Sequence, residues 1–171
     1  WTRGHSERVT QYALSIAREM GMEEMALNDI ELAGLLHDVG KIGTYESILD
    51  KPGRLTDAEL KVMRQHPVKG AEILAPIKQM QKLIPAIKYH HEFYDGNGYP
   101  DGVRGEEIPL YARILAVADT VDAMHAERPY RKGRSADVIV EELKRCSGTQ
   151  FDPNVVEAFL KTIAKGFIHL Q

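Results

Sequence analysis

Residues 33–41 read Ala33-Gly34-Leu35-Leu36-His37-Asp38-Val39-Gly40-Lys41, and the fold turns on how this stretch is read. An apolar helix running from about Met25 carries a histidine and an aspartate at its end, after which Gly40 and Gly43 loosen it. An unpaired aspartate on so apolar a helix costs several kcal/mol to bury. A cation beside it removes that cost, and a metal ion is the simplest such cation.

Upstream, Val9, Ala13, Ile16, Ala17 and Met20 fall at helical spacing before Gly21, which predicts an amphipathic helix over about residues 5–20 with His5 near its inward stripe. Downstream, residues 44–55 contain Pro52-Gly53 and read as a loop, and Thr56-Asp57-Ala58-Glu59 has the form of a capping box. Pro67 interrupts or restarts that helix directly after His66. Ile73, Leu74, Leu83, Ile84 and Ile87 belong to further helical segments leading into His90-His91. Gly96, Gly98, Gly102, Gly105 and Pro100 break up residues 95–105, which must be a loop. Ile114, Val117, Ala118 and Val121 restore the helical period over about residues 110–126, placing Asp119 and Asp122 three apart on one face. Closing helices start near Ser135 and at Asp152-Pro153, an N-cap followed by proline. No segment alternates convincingly enough for a strand. The expected fold class is all-α, a multi-helix domain around a central metal site.

The 171 residues, 43% hydrophobic, suffice for one sizeable core and suggest a single domain spanning residues 1–171. A net charge of -3 argues against coating a nucleic-acid polymer, so an anionic substrate must meet a local basic cluster. Arg128, Arg131, Lys132 and Arg134 form one. The single cysteine, Cys146, excludes an internal disulfide and a cysteine metal site, which fits the cytoplasm. No apolar run is long enough to span a bilayer. The opening at Trp1, without an initiator methionine, reads as an excised fragment of a longer, multidomain protein.

Five of the seven histidines, His5, His37, His66, His90 and His91, stand where a solvated surface would not favour them. With Asp38 and Asp119 they make seven candidate ligands, about right for two metals plus solvent. A lone helical histidine is more often a hydrogen-bonded structural residue; the constellation reverses those odds. For Asp119 the alternative is an ion pair with Arg113 or Arg128. For Lys132 and Arg134 it is a solvated face or an ion pair with Glu141 or Glu142.

His37-Asp38-Val39-Gly40-Lys41, His66-Pro67, His90-His91-Glu92, Asp95-Gly96-Asn97-Gly98-Tyr99-Pro100, Asp119, Arg128-Pro129-Tyr130-Arg131 and Phe151-Asp152-Pro153 together resemble the HD-GYP family in order and spacing. The resemblance covers nearly the whole chain. It implies a helical HD-superfamily domain with a two- or three-metal site and phosphodiesterase activity on cyclic di-GMP, yielding the linear dinucleotide or GMP in bacterial signalling. By resemblance, His5, His37, Asp38 and Asp119 form the primary metal site, and His66, His90 and His91 hold a second ion bridged by Asp38. Lys41 contacts the scissile phosphate or assists the leaving group. Arg128 and Arg131 hold the dinucleotide phosphates, and Asp122, Gly98, Tyr99 and Pro100 join the substrate contacts. Two readings stand for Tyr99: a tight turn packed back on the core, or direct contact with guanine. The expected ions are two divalent cations, iron or manganese first, with zinc, nickel, cobalt and magnesium also compatible. Expected partners are the cyclic dinucleotide, diguanylate cyclase domains at the Gly98-Tyr99-Pro100 loop, and an upstream sensory or receiver domain.

Three positions depart from the family pattern. Trp1 occupies the place of a glutamate that completes a third metal position in some members, which favours two ions because an indole N–H cannot coordinate. His125 replaces a small hydroxylated residue; it is expected first to face solvent, the alternatives being a phosphate donor or a change of substrate preference. Thr44-Tyr45 replaces Ile-Pro in the loop after the first motif. Two rival functions share these features: a cyclic GMP-AMP phosphodiesterase, and a sensor or cyclase-binding module without turnover.

Overall fold

The computed structural model describes residues 4–42, 48, 51, 53–126, 133–168 and 170, and among them the helical periods of the sequence are realised as eight delimited α-helices. In chain order they are α1 (His5–Glu19), α2 (Glu24–Leu36), α3 (Asp57–Met63), α4 (His66–Leu74), α5 (Ile84–Tyr89), α6 (Leu110–His125), α7 (Ala136–Arg145) and α8 (Pro153–Ala164). Among the described residues the nearest thing to a strand is an isolated bridge between Ser147 and Phe151. None of these helices is long and apolar enough to cross a membrane.

The predicted starts are built as expected. The Thr56 hydroxyl accepts from Glu59 N while the Glu59 carboxylate accepts from Thr56 N, which opens α3. Asp152 caps α8 through Asn154 N at 2.8 Å. Pro67 restarts rather than interrupts: α3 ends at Met63, and α4 begins at His66 with proline in its first turn.

One core joins Val9, Ala13, Ile16 and Ala17 of α1 to Ile30 and Ala33 of α2, Ile114, Val117, Ala118 and Val121 of α6, and Phe151 and Phe159 near and on α8. Each of the valine, isoleucine and phenylalanine side chains among them, fully enclosed, contributes about 1.5–3 kcal/mol. A smaller core gathers Leu74, Leu83 and Ile87 under Leu36 and Val39. Ala33 lies in the first core, while Leu36 and Val39 flank His37-Asp38 and pack on the second. The histidine–aspartate pair therefore stands where the two cores meet.

After Asp38 the chain takes a short 3₁₀ turn, Val39–Lys41, against α4. Here Gly40 is required by contact: a Cβ on it would lie 1.8 Å from the His66 carbonyl oxygen and 2.4 Å from Gly70 N.

Candidate metal centre

Four of the five histidines have their rings set by a bond to Nδ1. His37 Nδ1 lies 2.6 Å from Gly34 O, His66 Nδ1 2.7 Å from Met63 O, and His90 Nδ1 2.7 Å from Ile87 O, each three residues earlier. A carbonyl oxygen only accepts, so each Nδ1 carries the proton and each neutral ring turns a lone pair on Nε2 the other way. His5 Nδ1 is held instead by Asp122 Oδ2 at 2.7 Å. Outer partners of this kind orient imidazoles for a metal.

The freed nitrogens converge in two groups. His5, His37 and Asp119 form one, and His66, His90 and His91 the other; within each, the donor atoms lie within 4.8 Å of one another. Asp38 stands between them. Its Oδ2 is 3.5 Å from Nε2 of both His5 and His37, and its Oδ1 is 3.3 Å from Nε2 of His66. Asp119 Oδ1 is 3.3 Å from His5 Nε2 and 4.0 Å from His37 Nε2. Lys41 Nζ closes on Asp38 Oδ2 at 2.6 Å.

These side chains suit divalent cations. His37 Nε2 is buried with no hydrogen-bond partner, and His66 Nε2 faces His90 Nε2 at 3.4 Å. Lone pairs pointed at lone pairs and at carboxylate oxygens in a buried space need positive charge among them. The protonation equilibria say the same. Burial disfavours a charged His5, yet the carboxylates of Asp119, Asp122 and Asp38 push it up to about 11, so that a proton supplies the missing charge. Burial also works against ionised Asp38 and Asp119, but hydrogen bonds from His5 hold both well below the carboxylate range, aided at Asp38 by Lys41. In the other group burial dominates: it lowers His66, lowers His90 strongly, and brings His91 down to about 4. Those rings stay neutral and available as ligands.

The structure places the expected substrate contacts unevenly. Asp122 is a correction: at 1% exposure its carboxylate is spent on Arg8 and His5, because the face it shares with Asp119 points into the scaffold. Tyr99 stacks on His91, ring centroids 5.0 Å apart and planes 24° from parallel. The Arg64 guanidinium lies over the Tyr99 ring at 5.4 Å. The ring packs back on the site, the first of the two readings for Tyr99. Gly98 packs on the chain at Glu92-Phe93 so closely that a Cβ would lie 2.2 Å from Phe93 N. Arg128, Arg131, Lys132, Trp1 and Thr44-Tyr45 lie outside the described residues.

Other expectations shift as well. Arg113 pairs with Asp152, not with Asp119. His125, expected in solvent, has Nδ1 buried without a partner, because the chain doubles back over it: Arg134 N bonds Met124 O at 2.9 Å. Sequence reasoning missed Arg8, Arg64 and the role of Glu92. Arg8 had a signal, lying one helical turn from His5. Glu92 had only its place after His90-His91.

The HD domain family matches residues 1–155, and the chain belongs to that family. It is 44% identical over 164 residues to a cyclic di-GMP phosphodiesterase of Thermotoga maritima, covering 94% of this chain and 44% of that protein. It is 43% identical over 162 residues to the cyclic di-GMP phosphodiesterase response regulator RpfG of Xanthomonas campestris pv. campestris, covering 94% and 43%. It is 39% identical over 163 residues to the 3'3'-cGAMP-specific phosphodiesterase 3 of Vibrio cholerae, covering 95% and 35%. The chain thus spans less than half the length of these relatives. Among solved structures, the HDG"Y"P protein Bd1817 of Bdellovibrio bacteriovorus matches with a TM-score of 0.75 at 20% identity, over 94% of this chain and 51% of that one. The HD domain of the Listeria monocytogenes phosphodiesterase PgpH, in complex with cyclic-di-AMP, matches with a TM-score of 0.63 at 19% identity, over 98% and 91%. These likenesses show the helical fold, and the relatives agree with the HD-GYP resemblance of the motifs.

Proposed function

We propose that this chain is the catalytic domain of a longer protein and hydrolyses a cyclic dinucleotide, cyclic di-GMP first, using two divalent ions, iron or manganese. One observation carries the reading: Asp38 turns one carboxylate oxygen to the His5 and His37 nitrogens and the other to His66. A carboxylate can share itself between two ions in this way, whereas a neutral imidazole cannot. When bound, paired cations lower the pKa of a water and neutralise phosphate oxygens, which diester hydrolysis requires.

The chain's own residues supply the rest. His5, His37 and Asp119 would hold one ion and His66, His90 and His91 the other, with Asp38 available to both groups. Hydrolysis forms a bond from water oxygen to phosphorus and breaks one P–O bond to ribose, and the departing oxygen takes a proton. Lys41, 20% exposed beside Asp38, is placed to neutralise that oxygen. Arg128 and Arg131 serve as phosphate clamps, since guanidinium geometry matches phosphate oxygens. An upstream receiver or sensory domain, and cyclase docking at the Gly98-Tyr99-Pro100 loop, belong to the same proposal.

The test is to incubate manganese- or iron-loaded protein with labelled cyclic di-GMP and cyclic GMP-AMP and to resolve the products. Linear dinucleotide from cyclic di-GMP is the expected result. Faster opening of cyclic GMP-AMP reassigns the substrate, and tight binding without turnover establishes the sensor reading instead.

A further inference from the structure

Among the five site histidines, His91 is the exception. Among the described residues neither of its ring nitrogens has a hydrogen-bond partner, whereas His5, His37, His66 and His90 are each fixed through Nδ1. Among the described residues, the aromatic ring packed on His91 besides those of the other site histidines is that of Tyr99, stacked on it. Tyr99 is itself tied down on both sides. Its N–H donates to His91 O at 3.2 Å, and the two residues after Pro100 donate to one buried side chain: Asp101 N and Gly102 N reach Glu92 Oε1 at 2.7 and 3.0 Å. Glu92 is 2% exposed, and its Oε2 has no partner. A carboxyl group kept in the interior with one oxygen unused is there for the other, because leaving a polar atom unsatisfied is costly. Gly98 completes the fold-back, lying where no side chain fits against the Glu92-Phe93 backbone.

We infer that Glu92 and Tyr99 are positioning residues for His91: the Glu92 carboxyl clasps the loop, and the clasped loop lays the Tyr99 ring on the imidazole. Stacking thereby does for His91 what Nδ1 bonds do for its neighbours. The inference rests on the reading of His91 as a metal ligand, and it makes the ring of Tyr99, not its hydroxyl, the working part.

Two measurements test it, with thermal melts confirming that each variant folds. In calorimetric Mn²⁺ titrations, Tyr99→Ala and Glu92→Ala each weaken one of two equivalents about 10- to 100-fold, the usual loss when an orienting partner goes. Tyr99→Phe and Glu92→Gln stay near wild type, because the first keeps the ring and the second keeps an acceptor oxygen. The double alanine variant is no weaker than Tyr99→Ala alone. Wild-type affinity in Tyr99→Ala, or a Tyr99→Phe variant as weak as Tyr99→Ala, overturns the inference. The second measurement needs no metal: NMR of histidine-labelled, metal-free protein should show one sharp His91 ring signal in wild type and Tyr99→Phe, and a broadened one in Tyr99→Ala and Glu92→Ala. If wild type takes up no Mn²⁺, the metal reading falls, and the line widths alone decide the positioning role. Equal widths in all variants refute it.

Discussion

The Nε2 atoms of His66 and His90 stand 3.4 Å apart while each ring's Nδ1 already donates to a backbone carbonyl. Both facing nitrogens therefore bring lone pairs, and neither can serve the other as a hydrogen-bond donor while neutral. Mn²⁺ added to chelator-treated protein at about 100 times its Kd should stabilise the fold by about 2.7 kcal/mol for each ion bound. For a chain of this size that is a rise in Tm of about 5–10 °C. A melting curve indifferent to Mn²⁺ and to chelator would remove the metal reading.

Asp38 is shared by both histidine groups, so its loss should empty both. Asp38→Ala is expected to lower metal affinity by more than the roughly 100-fold that an outer partner costs, and to abolish hydrolysis. Full metal content by elemental analysis in that variant would sink the bridge.

Asp122 bonds Nδ1 of His5 and lies outside both groups of donor atoms. Asp122→Ala should weaken the ion held by His5, His37 and Asp119 about 10- to 100-fold, with Asp122→Asn intermediate because its amide oxygen still accepts from His5. An unaltered Mn²⁺ isotherm in Asp122→Ala would show that Arg8 and the helix hold His5 without it.

Without metal, the buried rings make stability depend on pH. Burial lowers His66, His90 and His91 from the ordinary 6.5, His91 to about 4, so in that interval the unfolded chain binds more protons than the folded one. Stability should fall as pH is lowered from about 6 to 4. His5, pushed up to about 11, is protonated in both states there and does not offset the trend. Denaturant midpoints of chelated protein that stay flat across this range would contradict the burial of neutral rings.

A control lies away from the centre. Asp152 is 1% exposed, pairs with Arg113 and caps α8. Asp152→Ala should cost about 3–5 kcal/mol by stranding the guanidinium, while Mn²⁺ affinity stays at the wild-type value. A combined loss of stability and affinity would mean that the two regions are coupled.

The helices were legible because their apolar spacing is local: α1, α6 and the capped starts of α3 and α8 stand where period and cap residues put them. The seven candidate ligands were legible as an ordered set, since histidines and aspartates are rare on apolar faces. What the sequence concealed is relational. Asp119 and Asp122 share a face, yet one meets the centre and the other meets Arg8, a contact across 114 residues that no local pattern encodes. Tyr99 read equally well as packed or as substrate-facing, because only the folded loop shows that His91 and Arg64 cover its ring. His125 looked like a surface residue until the return of the chain at Gly133-Arg134 enclosed one side of it.

Gly40 has a wider consequence. Because its backbone rests directly on His66 and Gly70, the gap between the aspartate and the second histidine group is gauged by main chain against main chain. Side-chain exchange at the surrounding histidines leaves that gauge untouched. The spacing between the two histidine groups is thus a property of the backbone, set before any side chain of the centre is chosen.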